Sequence, residues 1–236
     1  PRRALRTGWT TGACATAAAK ACMIALIQGK FEESVSIQLP HGEKPTFHLS
    51  RHVLKKDMAC AGIIKDAGDD PDVTHGAEIV VCIKLGQPGN GITFYAGDGV
   101  GTVTLPGLPI PIGEPAINPA PRKMISDVIQ EVAKYKSQAV DFEVTVSIPG
   151  GKDLAEKTMN GRLGITGGLS VLGTTGIVRP YSCSAWIHSI HRGIDVARAT
   201  GLTHLAASTG NTSEEAIKKL YQLEPSALID MGDVAG

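Results

Sequence analysis

Aromatic residues are scarce in this chain, at 4% of 236 residues. A core built on ring stacking is therefore excluded, and 28 glycines point instead to turns and close backbone approaches. Charge of neither sign is in excess: 23 Lys+Arg stand against 23 Asp+Glu. The basic surplus carried by most nucleic-acid and anionic-membrane binders is missing, so neither partner is expected. No apolar run is expected to reach the roughly 18 residues of a membrane span. Pro1 to Leu5 lacks the apolar stretch of a secretory signal. The five cysteines (Cys14, Cys22, Cys60, Cys82, Cys183) show no Cys-x-x-Cys spacing, which predicts reduced, mostly buried thiols and a cytoplasmic setting. Gly-x-Ser-x-Gly, His-Glu-x-x-His and P-loop patterns are absent, which disfavours serine hydrolases, zinc proteases and P-loop phosphotransferases.

What is present divides into two regions that meet near Pro149-Gly150-Gly151. The expected fold class is α+β: an N-terminal α+β domain over 1–150, then a Rossmann-like α/β region over 151–236. In the first, Thr10 or Thr11 caps a helix running from Ala13 towards Gly29, apolar nearly all round and so buried. Strands are expected at Val35–Leu39, Thr46–Leu49, Ala77–Leu85 and Phe142–Ile148. Ile92–Ala96 and Val100–Leu105 flank Gly97-Asp98-Gly99, which reads as a hairpin. Asn118-Pro119 starts a second helix, with Ile125, Val128, Ile129 and Val132 forming one buried stripe. In the second region, a strand-like Ile165–Leu172 precedes the loop Gly173–Gly176. An amphipathic helix follows over Ser182–Thr200, with Trp186, Ile190, Ile194 and Ala197 as its stripe. A strand at Thr203–Ala207, a loop at Ser208–Asn211 and a helix at Thr212–Leu223 complete it. Thr212 and Glu215 match a capping box. Such alternation predicts a parallel sheet, with ligands at the strand C-terminal ends.

Four constellations can carry chemistry. Thr10-Thr11-Gly12 opens a helix whose free N–H groups favour a carboxylate or phosphate, though two threonines also serve simply as caps. The run from Asp66 to His75 packs four aspartates and a histidine together. It is the best local candidate for acid–base work or a hard cation, against the plainer reading of an Asx-rich turn. Gly97–Gly101 fits a turn better than a nucleotide fingerprint, since strand-like residues follow it. His188, His191 and Asp195 share one helix face, which reads as solvated and polar rather than metal-ligating. No metal site is expected.

Five stretches together resemble one family: LRTGWTTGACATAAAK (5–20), IKDAGDDPDVTHGAEI (64–79), AGDGVGTVTLPGLPIPIGEPAINPAPRKMI (96–125), NGRLGITGGLSVLGTTGIVRP (160–180) and STGNTSEEA (208–216). The sequence is similar to the cobalt-precorrin-5B (C1)-methyltransferases of anaerobic cobalamin biosynthesis, with Trp9 and Tyr181 reading as variable positions. The family continues past the point matching Gly236, so the α/β region is expected to be incomplete here. The resemblance implies methyl transfer from S-adenosylmethionine to ring carbon C-1 of a cobalt tetrapyrrole, giving cobalt-precorrin-6A, with cobalt present only in the substrate. Substrate carboxylates are assigned to Thr10, Thr11, Gly12, Arg122 and Arg162. S-adenosylmethionine is assigned to Thr174, Thr175, Gly176, Thr209, Gly210 and Asn211, and any proton transfer to Asp69, Asp70 or His75. A homo-oligomer is compatible with this reading. A non-catalytic tetrapyrrole or anionic-metabolite carrier, and a phosphotransferase, are the competing classes.

Overall fold

The computed structural model describes residues 4–134 and 141–232, with the backbone alone at Asn211. The first half runs β1 (Gly8–Trp9), α1 (Thr11–Gln28), β2 (Ser34–Ser36), β3 (Thr46–His48), β4 (Arg51–Lys55), β5 (Met58–Ile64), β6 (Glu78–Leu85), β7 (Ile92–Ala96), β8 (Thr102–Val103), α2 (Pro119–Lys134) and β9 (Phe142–Ser147). The second half adds α3 (Gly151–Ala155), β10 (Ile165–Thr166), β11 (Ile177–Val178), α4 (Cys183–Ala199), β12 (Ala206–Ser208), α5 (Asn211–Tyr221) and β13 (Leu228–Asp230).

α1 is the centre of the core. Thr10 caps it, its hydroxyl accepting the Ala13 N–H at 3.1 Å, and Gly29 closes it at φ 77°. By length and composition α1 is apolar enough to cross a membrane, which amends the expectation that no such run exists. Here 72% of it is buried inside the fold, where it packs on α2, β5 and β6. Its alanines let the sheet come close. That sheet has five strands in the order β4-β5-β6-β9-β7, antiparallel except for the β7–β9 pair. Alternate residues Ala59, Ala61, Ile63, then Ile79, Val81, Ile83, then Phe142, Val144, Val146 are buried, as period-two geometry requires. α2 buries the predicted stripe Ile125, Val128, Ile129 and Val132.

The structure corrects several expectations. Gly97-Asp98-Gly99 is a crossover, not a hairpin: β7 stays in the five-stranded sheet while β8 pairs with β10. A Cβ at Gly99 would lie 1.9 Å from the Ile148 carbonyl oxygen, so the glycine serves a crossing of two backbones. The Rossmann-like region reduces, among the described residues, to the parallel pair β12–β13 with α4 and α5 beside it. The Thr212–Glu215 capping box does not form: Gly210 stands at the cap without a side-chain bond, and Thr212 lies inside α5. On α4 only Ala197 of the expected stripe is buried, beside Val196, which lay outside it; Ile190 and Ile194 are half-buried and Trp186 stays 38% exposed.

Cys60 and Cys82 are not free thiols. They face each other across β5 and β6 and form a disulfide that closes a 22-residue separation. Cys14 and Cys22 remain buried thiols, and burial pushes the Cys14 thiol up to about 12. Cross-linking a segment of this length restricts the unfolded chain. The double variant C60A/C82A is expected to lose about 2–3 kcal/mol, read as a lower urea midpoint. Reductant is expected to shift the wild type equally, and a reductant-independent midpoint would show that the bond contributes nothing.

Candidate functional site

The N-terminus of α1 is the meeting point of three distant segments. Trp9 pairs with Ile177 across the β1–β11 ribbon, and its N–H donates to Asp66 O at 2.7 Å. The Thr10 N–H donates to Gly176 O at 3.0 Å, and the Gly12 N–H to Leu172 O at 3.0 Å. The Thr11 hydroxyl donates to Leu172 O and accepts its N–H, at 3.1 and 3.0 Å. The predicted residues Thr10, Thr11 and Gly12 thus come together with Thr174–Gly176, but they are buried and engaged with the chain itself. A carboxylate reaching these amides has to displace the Leu172 carbonyl. Thr175 turns its hydroxyl onto the Ile177 N–H at 3.2 Å.

The acidic loop is drawn to the same place. Asp66 takes a bidentate pair from Arg6, at 2.5 and 2.9 Å. With the Gly68 N–H, this pair holds the Asp66 carboxyl down at about 2. Asp69 exchanges two bonds with the Arg6 backbone, at 2.7 and 2.9 Å. Asp70 Oδ1 accepts the Tyr181 N–H at 2.9 Å. His75 Nδ1 accepts the Ala67 N–H at 3.1 Å. That bond leaves the neutral ring's proton on Nε2, and the side chain is 54% exposed. Beneath the loop lies a residue the sequence reasoning missed. Lys65, with 1% of its side chain exposed, donates to Asp72 Oδ2 at 2.5 Å. Asp72 Oδ1 in turn accepts the Thr74 N–H and hydroxyl at 2.7 and 2.6 Å. Burial alone raises the Asp72 carboxyl, but the Lys65 ammonium and Thr74 outweigh it and the net shift is downward. The only signal in the sequence was a lysine placed between an apolar strand and four acids.

The two assigned arginines sit elsewhere and are occupied. Arg122 forks onto Glu114 at 3.1 and 3.2 Å and onto the Ile117 and Pro115 carbonyls. It also lies 5.3 Å over the Phe94 ring. Arg162 pairs with Glu214 at 2.7 and 2.5 Å, clamping the chain to α5. Thr209 and Gly210 lie beside that clamp, where β12 ends and α5 begins; the Asn211 side chain lies outside the described residues. Among the described residues no hydrogen bond joins this loop to the α1 cluster. It adjoins Ser208, whose buried hydroxyl has no hydrogen-bond partner among the described residues. Two surface depressions, along Pro106–Ile112 and beside Asp127, Gln130, Glu131 and Lys134, contain none of the assigned residues. His188 and His191 are exposed on α4, and Asp195 pairs with Arg192 at 3.3 Å.

These features define a mixed α+β chain whose most distinctive motifs gather at one helix terminus, and residues 1–180 match the CbiD family. The chain belongs to that family. It is 59% identical over 234 residues to the cobalt-precorrin-5B C(1)-methyltransferase of Agrobacterium fabrum, covering 99% of this chain and 61% of that protein. It is 58% identical to the protein of the same name from Brucella anthropi, over 98% of this chain and 63% of that one. The chain therefore spans about three fifths of the length of these curated relatives. Among solved structures it resembles the cobalamin biosynthesis protein cbiD of Archaeoglobus fulgidus, with 26% identity and a TM-score of 0.57. That likeness covers 95% of this chain and 70% of the other.

Proposed function

We propose that the protein methylates ring carbon C-1 of cobalt-precorrin-5B with S-adenosylmethionine as donor, the activity its curated relatives are named for. The observation that carries this reading is the 59% identity sustained over 99% of the chain. When bound, the donor supplies a sulfonium methyl activated enough for an electron-rich ring carbon to take directly. The chain need not provide a nucleophile; its task is alignment, for which effective molarities reach about 10⁵–10⁸ M.

For the donor, Thr209, Gly210 and Asn211 are favoured over Thr174, Thr175 and Gly176. The orphaned Ser208 hydroxyl adjoins the first loop at the end of a parallel strand, and an unpaired buried hydroxyl costs about 1–3 kcal/mol unless something binds it. A side chain added at Gly210 meets nothing within 4 Å. In the second loop Gly176 and Thr175 are already spent on Thr10 and Ile177. For proton handling, His75 is the best placed of the three assigned groups. One ring nitrogen is fixed by Ala67 on a side chain that is 54% exposed, whereas Asp69 and Asp70 are committed to backbone N–H groups. The proposed division, macrocycle chiefly on 1–150 and donor on 151–236, meets at a seam stitched by β1–β11 and β8–β10, so the residues that follow β11 border the macrocycle side.

Incubation with methyl-labelled S-adenosylmethionine and cobalt-precorrin-5B is expected to place label in the tetrapyrrole. Tetrapyrrole binding without transfer would favour the carrier reading. Gly210→Val is expected to weaken donor affinity, measured calorimetrically, by about tenfold; an unchanged value would remove that loop from the donor site.

A further inference from the structure

We infer that Arg179 and Tyr181 form the contact surface for a planar, carboxylate-bearing ligand, and that Asp70 positions them. The inference rests on the tetrapyrrole reading above. Arg6, Arg122 and Arg162 are all occupied by carboxylates of the chain. Arg179 is exposed, and among the described residues its side chain has no ion pair or hydrogen bond. It follows directly on β11, whose backbone is fixed by pairing with β1.

Two residues on, Tyr181 is 68% exposed and sits at φ 54°. That left-handed conformation is unfavourable for a residue with a Cβ and free for glycine. What holds it is the Asp70 carboxylate, 111 residues away in sequence. The Asp70 loop is itself locked to Arg6 and Trp9 through Asp69 and Asp66. A strained backbone persists only where its surroundings over-determine it, and ligand clamps are where such strain collects. Here the outcome is an exposed aromatic ring two residues along the chain from an exposed arginine that has no ion pair among the described residues, in a chain with very few rings. An arginine fork matches a carboxylate, and a tyrosine ring covers an apolar flat face. A carboxylated macrocycle offers both. The ring, rather than the phenol hydroxyl, is what this contact uses.

The test is cobalt-precorrin-5B titration followed by absorbance, together with steady-state methyl transfer and thermal unfolding of the whole protein. Y181F is expected to match the wild type. R179A and Y181A are each expected to raise Kd and KM about tenfold, with kcat at saturation within about twofold of the wild type. Y181G is expected to lose the same affinity while its Tm rises, a pairing that a purely structural role does not produce. D70N keeps a side-chain oxygen able to accept the Tyr181 N–H and is expected to hold Kd near the wild-type value, whereas D70A is expected to raise Kd about tenfold, as Y181A does. Wild-type affinity in Y181A would overturn the inference. So would a D70N or D70A that keeps the wild-type Kd but loses kcat, which would make Asp70 a proton-transfer group. A wild type that binds no tetrapyrrole would overturn the methyltransferase reading itself, and that control separates the two failures.

Discussion

Replacing Asp72 by alanine is expected to destabilise the protein by about 3–5 kcal/mol, the usual cost of stranding a buried charge. Lys65 directly follows β5, and its backbone is fixed at both ends, its N–H on Ala77 O and its C=O on the Gly76 N–H. Its side chain is 1% exposed, so removing its partner leaves a buried ammonium unpaired. The pair as a whole contributes far less than this, because burying both ions is itself costly. K65M/D72A is accordingly expected to be more stable than D72A alone, which urea unfolding of the two variants measures. An equal loss in both would show that packing, not charge, dominates. The pH dependence has a definite sign. Asp72 is held below its ordinary value in the folded protein, so its contribution is fully present above about pH 4. It is lost as the pH falls through the folded value. Asp66, held at about 2, acts in the same direction, but at 44% exposure its pair with Arg6 is screened by solvent and adds little.

The long helices were legible because their signals are local. Thr10, Gly29, Pro119 and the Ile125–Val132 stripe act within a few turns, and each does what its residue type dictates. β4 and β5 were not, since β5 opens Met-Ala-Cys-Ala-Gly and has strand formers only at Ile63 and Ile64; its place comes from pairing with β6 and packing under α1. The disulfide was hidden for the same reason, because only the β5–β6 register sets Cys60 opposite Cys82. At the candidate site the acidic run announced itself through composition. Its neighbours did not: Thr11 meets Leu172 at a separation of 161 residues, and Asp70 meets Tyr181 at 111. Arg122 and Arg162 were plausible anion ligands by charge alone. Folding assigned them to Glu114 and Glu214 and left Arg179 without an ion pair among the described residues, a distinction no single-sequence pattern encodes.

Gly68→Ala tests whether that convergence holds the site together. Gly68 sits at φ 71°, and a Cβ there would lie 2.2 Å from Arg6 O and 2.6 Å from the Thr7 carbonyl carbon. Both are backbone atoms and cannot rotate aside, so residues 6–7 and the acidic loop must separate. Gly76, eight residues on, has a similar φ of 77°, but a methyl group there would meet nothing within 4 Å. Gly76→Ala should therefore cost only the left-handed conformation, about 1–2 kcal/mol. Gly68→Ala adds overpacking of about 1–3 kcal/mol, and the fixed backbone places the total near the top of that range, at about 3–5 kcal/mol. Parting the two strands of chain also pulls Asp69 from Arg6 and shifts Asp70 under Tyr181. Tetrapyrrole affinity is thus expected to fall in Gly68→Ala and to hold in Gly76→Ala. If the two variants unfold at the same denaturant concentration, the close approach at Gly68 is not what joins the acidic loop to the start of α1.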